Sequence, residues 1–219
     1  MIRPISLIFD SDITKPQKLA VFMGLWNLLR IIGMIGKMPI QISQVVVTPS
    51  KGIRSYIENA RAGKMIDAER LMNDIYNDAI VLGVPIEEQP HRIVVVNNEL
   101  IWKDKLQING LGREDDCAII TVRRDGPNNQ CTPEESIKGT TIHEGGHVFG
   151  LIPAVRTTNV VVTEYGKHCA NECVMSAGQK RTKIFAELKK PICSSDIFCD
   201  ECLTALLKRF ATVPTDDQK

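Results

Sequence analysis

Residues 143–147 read His-Glu-Gly-Gly-His, and this spacing constrains the chain more than any other feature. On an α-helix a four-residue step returns a side chain to nearly the same face, one turn further on. His143 and His147 can therefore aim two imidazole nitrogens at one metal ion. Glu144 falls about a quarter-turn aside, within reach of a water on that metal without being a ligand itself. The chain holds four histidines, His91, His143, His147 and His168, so a five-residue window takes two of them.

The flanks agree with a helix. Thr132, Pro133 and Glu135 occupy N-cap, first-turn and third positions, a capping box with proline where its missing N–H does no harm. The expected helix runs from Pro133 to about Phe149, with Gly150 ending it. Gly139, Gly145 and Gly146 lie inside it, each costing about 1 kcal/mol against alanine. Close approach of a neighbouring strand or of substrate backbone is the expected reason for Gly145 and Gly146.

Upstream, strand and helix patterns alternate. Ile5–Phe9, Ile42–Thr48, Arg92–Val96 and Cys117–Val122 read as strands. Lys15–Gly33 reads as a helix, and so does 67–83, whose apolar stripe of Ala68, Leu71, Met72, Ile75, Tyr76, Ala79 and Leu82 stops at Gly83 and Pro85. The most apolar stretch, Leu19–Ile35, is interrupted by Asn27 and Arg30, and reads as a buried helix rather than a membrane span. The expected fold class is α/β, more narrowly α+β: a mixed twisted sheet with packed helices in one compact domain.

A net charge of +1 over 219 residues gives no ground for nucleic acid or an anionic membrane as partner. The N-terminal stretch shows no basic segment followed by an unbroken apolar run, so a cytoplasmic protein is expected. Under that expectation seven cysteines point to thiolates rather than disulfides. Cys169 and Cys173, followed by Cys199 and Cys202, have the spacing of a zinc knuckle. Cys193 has no second thiolate at knuckle spacing, and Cys117 and Cys131 read as buried or free thiols. His91, beside Pro90, reads as a loop histidine.

A catalytic zinc needs a third protein ligand and an open position. In the metzincin spacing a glycine follows the second histidine by three residues and a third histidine comes three later. Gly150 matches; the ligand position falls on Pro153, which cannot bind metal. His168 is the next histidine, and Glu164, seventeen residues beyond His147, competes with it.

The run His168-Cys169-Ala170-Asn171-Glu172-Cys173-Val174-Met175, with Cys199-Asp200-Glu201-Cys202 after it, resembles the archaemetzincins, zinc metallopeptidase-like proteins of the metzincin group. The resemblance covers roughly residues 140–205. It implies that His143, His147 and His168 bind catalytic zinc, with Glu144 as general base and Met175 in the turn beneath the metal. It also implies a structural zinc on Cys169, Cys173, Cys199 and Cys202, hence two zinc ions per chain. Two departures stand out: about fifteen extra residues, Pro153–Lys167, precede the third histidine, and Cys169 and Cys173 are one residue closer than is usual in the family. Val-rich Asn159–Thr163 within the extra segment is expected to form a strand or flap at the cleft edge.

The resulting expectation is a zinc-dependent metallopeptidase, monomeric, acting on a peptide or protein. Residues 1–150 would form an α/β subdomain ending in the active-site helix. Residues 151–219 would carry the extra segment, third histidine, methionine turn, zinc-knuckle subdomain and a terminal helix. An extended substrate would pair antiparallel with an edge strand, for which Cys117–Val122 is the candidate. A non-peptidase zinc amidohydrolase, a zinc-stabilised binding protein and a latent enzyme covered by the extra segment are the competing readings.

Overall fold

A computed structural model describes residues 3–37, 45–48, 53–81, 89–103, 106–123, 132–152, 156–177 and 197–210. In chain order the first elements are β1 (Ile5–Phe9), α1 (Lys15–Gly36), β2 (Val45–Thr48), α2 (Arg54–Asn59), β3 (Arg61–Ala62), β4 (Met65–Asp67) and α3 (Ala68–Val81). Then follow β5 (His91–Val96), β6 (Leu100–Trp102), β7 (Leu106–Ile108), β8 (Gly110–Gly112), β9 (Cys117–Thr121) and α4 (Pro133–Val148). The hairpin β10 (Val160–Thr163) and β11 (Gly166–Cys169) and the helix α5 (Asp200–Phe210) complete the set.

The main sheet has the order β2-β1-β5-β9-β8. Its first four strands are parallel, and β8 returns antiparallel to β9. β1, β5 and β9 are apolar almost throughout because both faces of the sheet are covered. Register decides which side chain goes where: Leu7 aligns with Ile93, and Ile93 with Ala118. These residues, with Ile5, Phe9, Val95 and Ile120, pack under α1, α4 and α5. The alternate set, Ile8, Val94, Val96, Cys117 and Ile119, faces α2, α3, β4 and β6. The expected mixed α/β architecture is therefore present. A smaller sheet, β3-β4-β6-β7, extends the second layer.

α1 is three residues longer than the pattern suggests, ending at Gly36 before Lys37, which takes the left-handed conformation. By length and composition it could cross a membrane, yet Leu25, Leu28, Leu29, Ile31 and Ile32 are wholly buried in the main core. Each such side chain contributes about 1.5–3 kcal/mol by leaving water. α3 begins where the stripe begins; Gly83, Pro85 and the start of the expected Ile42–Thr48 strand lie outside the described residues. One core cluster joins β1 to Cys169, Met175 and Leu206, and so unites the two halves of the chain around α4.

Candidate metal centre and cleft

α4 starts as its sequence dictates. Thr132 Oγ1 accepts from the Glu135 N–H (3.2 Å), while Glu135 Oε2 accepts from the Thr132 N–H (2.8 Å). The helix ends at Phe149, and Gly150 follows at φ +69°, where glycine is at ease. Between these ends His143, Glu144 and the surrounding helix are buried.

The Nε2 atoms of His143 and His147 stand 3.3 Å apart. Two nitrogens bound at about 2.1 Å to one tetrahedral zinc would be about 3.4 Å apart. His168 arrives from β11, and the three imidazoles offer nitrogens within 4.8 Å of one another. His143 Nδ1–H donates to the Val174 carbonyl (2.7 Å), and His168 Nδ1–H to the Gly166 carbonyl (3.3 Å). Each bond fixes the tautomer that leaves Nε2 as a donor to metal. The three residues thus fit a divalent cation with an open fourth position.

Met175 is fully buried, and a β-carbon on Gly146 would fall 2.5 Å from its sulfur. A β-carbon on Gly145 would fall 2.7 Å from Leu28 Cδ2. The glycines of the motif therefore admit the methionine turn and α1, not a strand or substrate backbone as expected.

The strand that does come close is β8. A β-carbon on Gly110 would meet Glu144 Cγ at 2.6 Å, and one on Gly112 would meet the Glu144 carbonyl at 2.6 Å and His147 Cβ at 2.8 Å. β8 therefore lies directly over the face of α4 that carries Glu144 and His147. Among the described residues it is also the edge of the sheet, whereas β9 is paired on both sides, by β5 and β8. The expected edge strand, Cys117–Val122, is thus interior, and the cleft edge is Gly110–Gly112. The Asn109 carbonyl accepts from Thr121 and the Arg113 N–H donates to Cys117. By antiparallel alternation, the main-chain groups of Gly110 and Gly112 then point away from β9 into the cleft. That cleft has a volume of about 880 Å³, with Ile108–Glu114 along one wall, Tyr165–His168 along the other, and His143, Glu144 and His147 between them.

Beside it, Cys169, Cys173, Cys199 and Cys202 bring four sulfurs within 4.8 Å of one another. Cys169 and Cys199 are 3.5 Å apart and Cys173 and Cys202 3.9 Å. A disulfide would need about 2.05 Å, whereas two thiolates on tetrahedral zinc at about 2.3 Å would be about 3.8 Å apart. Hydrogen bonds from Cys173 and Cys202 hold the Cys169 thiol far below its usual range, and the hydrogen bond that Cys173 gives Cys169, with burial behind it, pushes Cys173 up to about 12. The chemistry and spacing of the four sulfurs fit zinc.

The sequence matches no protein-family model and no curated protein. Solved structures do match. Archaemetzincin from Methanopyrus kandleri superposes with a TM-score of 0.56 at 16% identity, covering 95% of each chain. Archaemetzincin from Archaeoglobus fulgidus, complexed with malonate, gives 0.56 at 16%, covering 92% of this chain and 99% of the other. A zinc-dependent peptidase from Methanocorpusculum labreanum gives 0.50 at 16% with the same coverage. This chain has the archaemetzincin fold.

On the archaemetzincin scaffold, the segment that is long for the family's motif spacing contributes a two-stranded hairpin. β10 pairs antiparallel with β11, with Val161 opposite His168. Glu164 is exposed in the turn between them and is absent from the group of donors that the histidines form. Tyr165, also exposed, lines the cleft. His91 is no loop residue: it lies in β5, buried, with Nδ1 accepting from Arg3 at 3.1 Å and its ring 5.2 Å from Phe149. Burial first, then the charge of Arg3, lowers its pKa to about 4. Cys117 is buried as expected, while Cys131 and Cys193 lie outside the described residues. The terminal helix forms, with Cys202 in its first turn. Sequence reasoning missed Gly110, Gly112 and the Val174 carbonyl. A Gly-x-Gly just ahead of an apolar strand was the available signal for the first two.

Proposed function

We propose that this chain is a zinc-dependent metallopeptidase. The observation that carries the reading is the convergence of three imidazoles and the Glu144 carboxyl at the floor of a cleft whose rim is the edge strand of the sheet among the described residues. His143, His147 and His168 would hold the catalytic ion, and Cys169, Cys173, Cys199 and Cys202 a structural one. A zinc ion on three neutral imidazoles supplies Lewis acidity, lowering the pKa of a coordinated water from about 15.7 to near 7 and polarising a carbonyl.

The chain's own residues do the rest. Glu144 accepts the water's proton and returns it to the departing amine, so one carboxyl serves as base and then acid. The outward N–H and C=O groups of Gly110 and Gly112 pair with an extended peptide, which lies as an added antiparallel strand. Gly110, lacking a side chain, also leaves the space that the Glu144 carboxyl occupies, where a β-carbon would come within 2.9 Å of its Oε1. Tyr165 and the remainder of the hairpin wall confine the peptide and limit water access. The peptide specificity of this reading rests on main-chain pairing, which a small acylated molecule would not offer.

The experiment is turnover of a mixed peptide library, with products read by mass spectrometry, for the wild-type chain and Glu144→Gln. The wild type cuts peptides and the variant does not, while both carry the same zinc. Equal cleavage by the variant would remove Glu144 from the mechanism; cleavage of acylated small molecules alone would replace the substrate class.

A further inference from the structure

The extra segment is tied to the cysteine cluster through one side chain. Arg156 divides its guanidinium between the sulfurs and the main chain: Nη1 donates to Cys202 Sγ (3.4 Å) and the Leu151 carbonyl (3.3 Å), Nη2 to Cys169 Sγ (3.6 Å) and the Asn159 carbonyl (3.3 Å), and Nε to the Thr158 carbonyl (3.1 Å). A second tie lies alongside. Glu201, between the last two cysteines, accepts from Asn159 and Asn171, both at 2.6 Å. The Asn159 carbonyl in turn accepts from the Ala170 N–H. Downstream of these anchors runs the hairpin whose second strand carries His168 and Cys169 as neighbours.

Charge gives the arrangement a purpose. Four thiolates on one divalent cation leave two negative charges in a place where three of the four cysteines are buried, and their sequence neighbours Glu172, Asp200 and Glu201 add more. An arginine fork reaching two of the sulfurs offsets that excess and holds a fixed geometry that a point charge would not. We propose that Arg156 is a positioning residue: it stabilises the metal held by the four cysteines and, through the hairpin, sets His168 at the catalytic metal. The two metal centres are then one mechanical unit. The inference rests on the reading of the four cysteines as a zinc site and of the three histidines as another.

The test is cobalt substitution of the full chain, because cobalt reports thiolate and imidazole coordination by separate absorption bands. Wild type must show both thiolate-to-cobalt charge-transfer bands and a second set from the histidine centre. If the thiolate bands are missing in the wild type, the reading of the cysteines as a metal site fails, and the proposal with it. Given both sets, Arg156→Gln is expected to speed metal loss from the thiolate centre to a chromophoric chelator by about tenfold, the usual scale for a lost partner of a metal ligand. It should also change the ligand-field bands of the histidine centre, which a role confined to the cysteines would not do. Arg156→Lys restores charge without the fork, so it should recover metal retention at the cysteines in part and leave the histidine bands altered. Release rates and bands in Arg156→Gln that match the wild type overturn the proposal. Should Arg156→Gln fail to fold, Arg156→Lys decides it alone: wild-type histidine bands in that variant overturn it, altered ones sustain it.

Discussion

At the level of single residues, the site separates groups that announce themselves in the sequence from groups that act through position. His143, Glu144 and His147 belong to the first kind, since the period of a helix makes one face of them. The Val174 carbonyl that orients His143 belongs to the second, because any residue could supply a carbonyl there. Glu144→Gln is expected to lower peptide turnover at least a hundredfold, the lower range for general acid–base groups, with zinc content unchanged by metal analysis. His91 makes a different kind of prediction. Its folded pKa of about 4 lies below the ordinary 6.5, so between those values the unfolded chain takes up a proton that the folded chain refuses. The stability that neutral His91 allows is complete above pH ~6.5 and is lost as pH falls towards 4, by about 3 kcal/mol on the scale of 1.36 kcal/mol per unit. Urea midpoints measured across that window should fall with acidity in the wild type, and the slope should flatten in His91→Gln.

At the level of elements, the decisive one is the short strand β8. Its three residues, Gly-Leu-Gly, carry almost no strand propensity. They form a strand because Leu111 enters the second core while both glycines clear α4. The sequence pattern favours β9 as the cleft edge because β9 is the apolar run just before α4. A strand with a clean apolar pattern is apolar because it is covered on both faces, and nothing in that pattern says which of its edges is open. Gly110→Ala tests the assignment. The added methyl has no space beside Glu144, so stability should drop by about 1–3 kcal/mol. Turnover should fall further than that loss of folded protein accounts for, by about tenfold or more, since a displaced carboxyl no longer lines up with its proton. Circular dichroism melting and peptide turnover on the same preparation separate the two effects. The hairpin β10–β11 has a prediction of its own. A latent enzyme would gain activity on deletion of residues 155–163. Because β10 is the strand partner of β11, which bears His168, the deletion is expected to lose catalytic metal and activity together, as metal analysis and turnover would show.

For the whole molecule, α4 is the axis: α1, β8 and β9 pack around it, and the cysteine centre pins β11 and α5 beside it. Arg209 on α5 bonds Glu114 (2.7 Å) and Asp115 in the β8–β9 connection, and Asp115 also receives Arg3, so these bonds tie the terminal helix to that connection and to the start of the chain. A metal that binds only the folded state adds stability in proportion to the logarithm of its saturation. Stripping metal with a chelator should lower the melting midpoint by about 10 °C for a chain of this size. Exchange protection should be lost first in residues 156–177 and 197–210, the segments that the cysteines join.

Much of this molecule was legible from local pattern. Periodicity determined the strands β1 and β5, the helices α1, α3 and α4, and the capping box, because those depend on neighbours within a few residues. Motif spacing likewise singled out the histidines and cysteines, since metal geometry restricts which residue types can meet. Only the tertiary structure decided that His168 rather than Glu164 faces the histidine pair, that β8 and not β9 is the sheet edge among the described residues, and that His91 is buried. Each of those outcomes depends on which distant segments touch, on a register between strands and on the path of a chain through an extra hairpin. Contacts of that range leave no period in the sequence, because their partners lie tens of residues away.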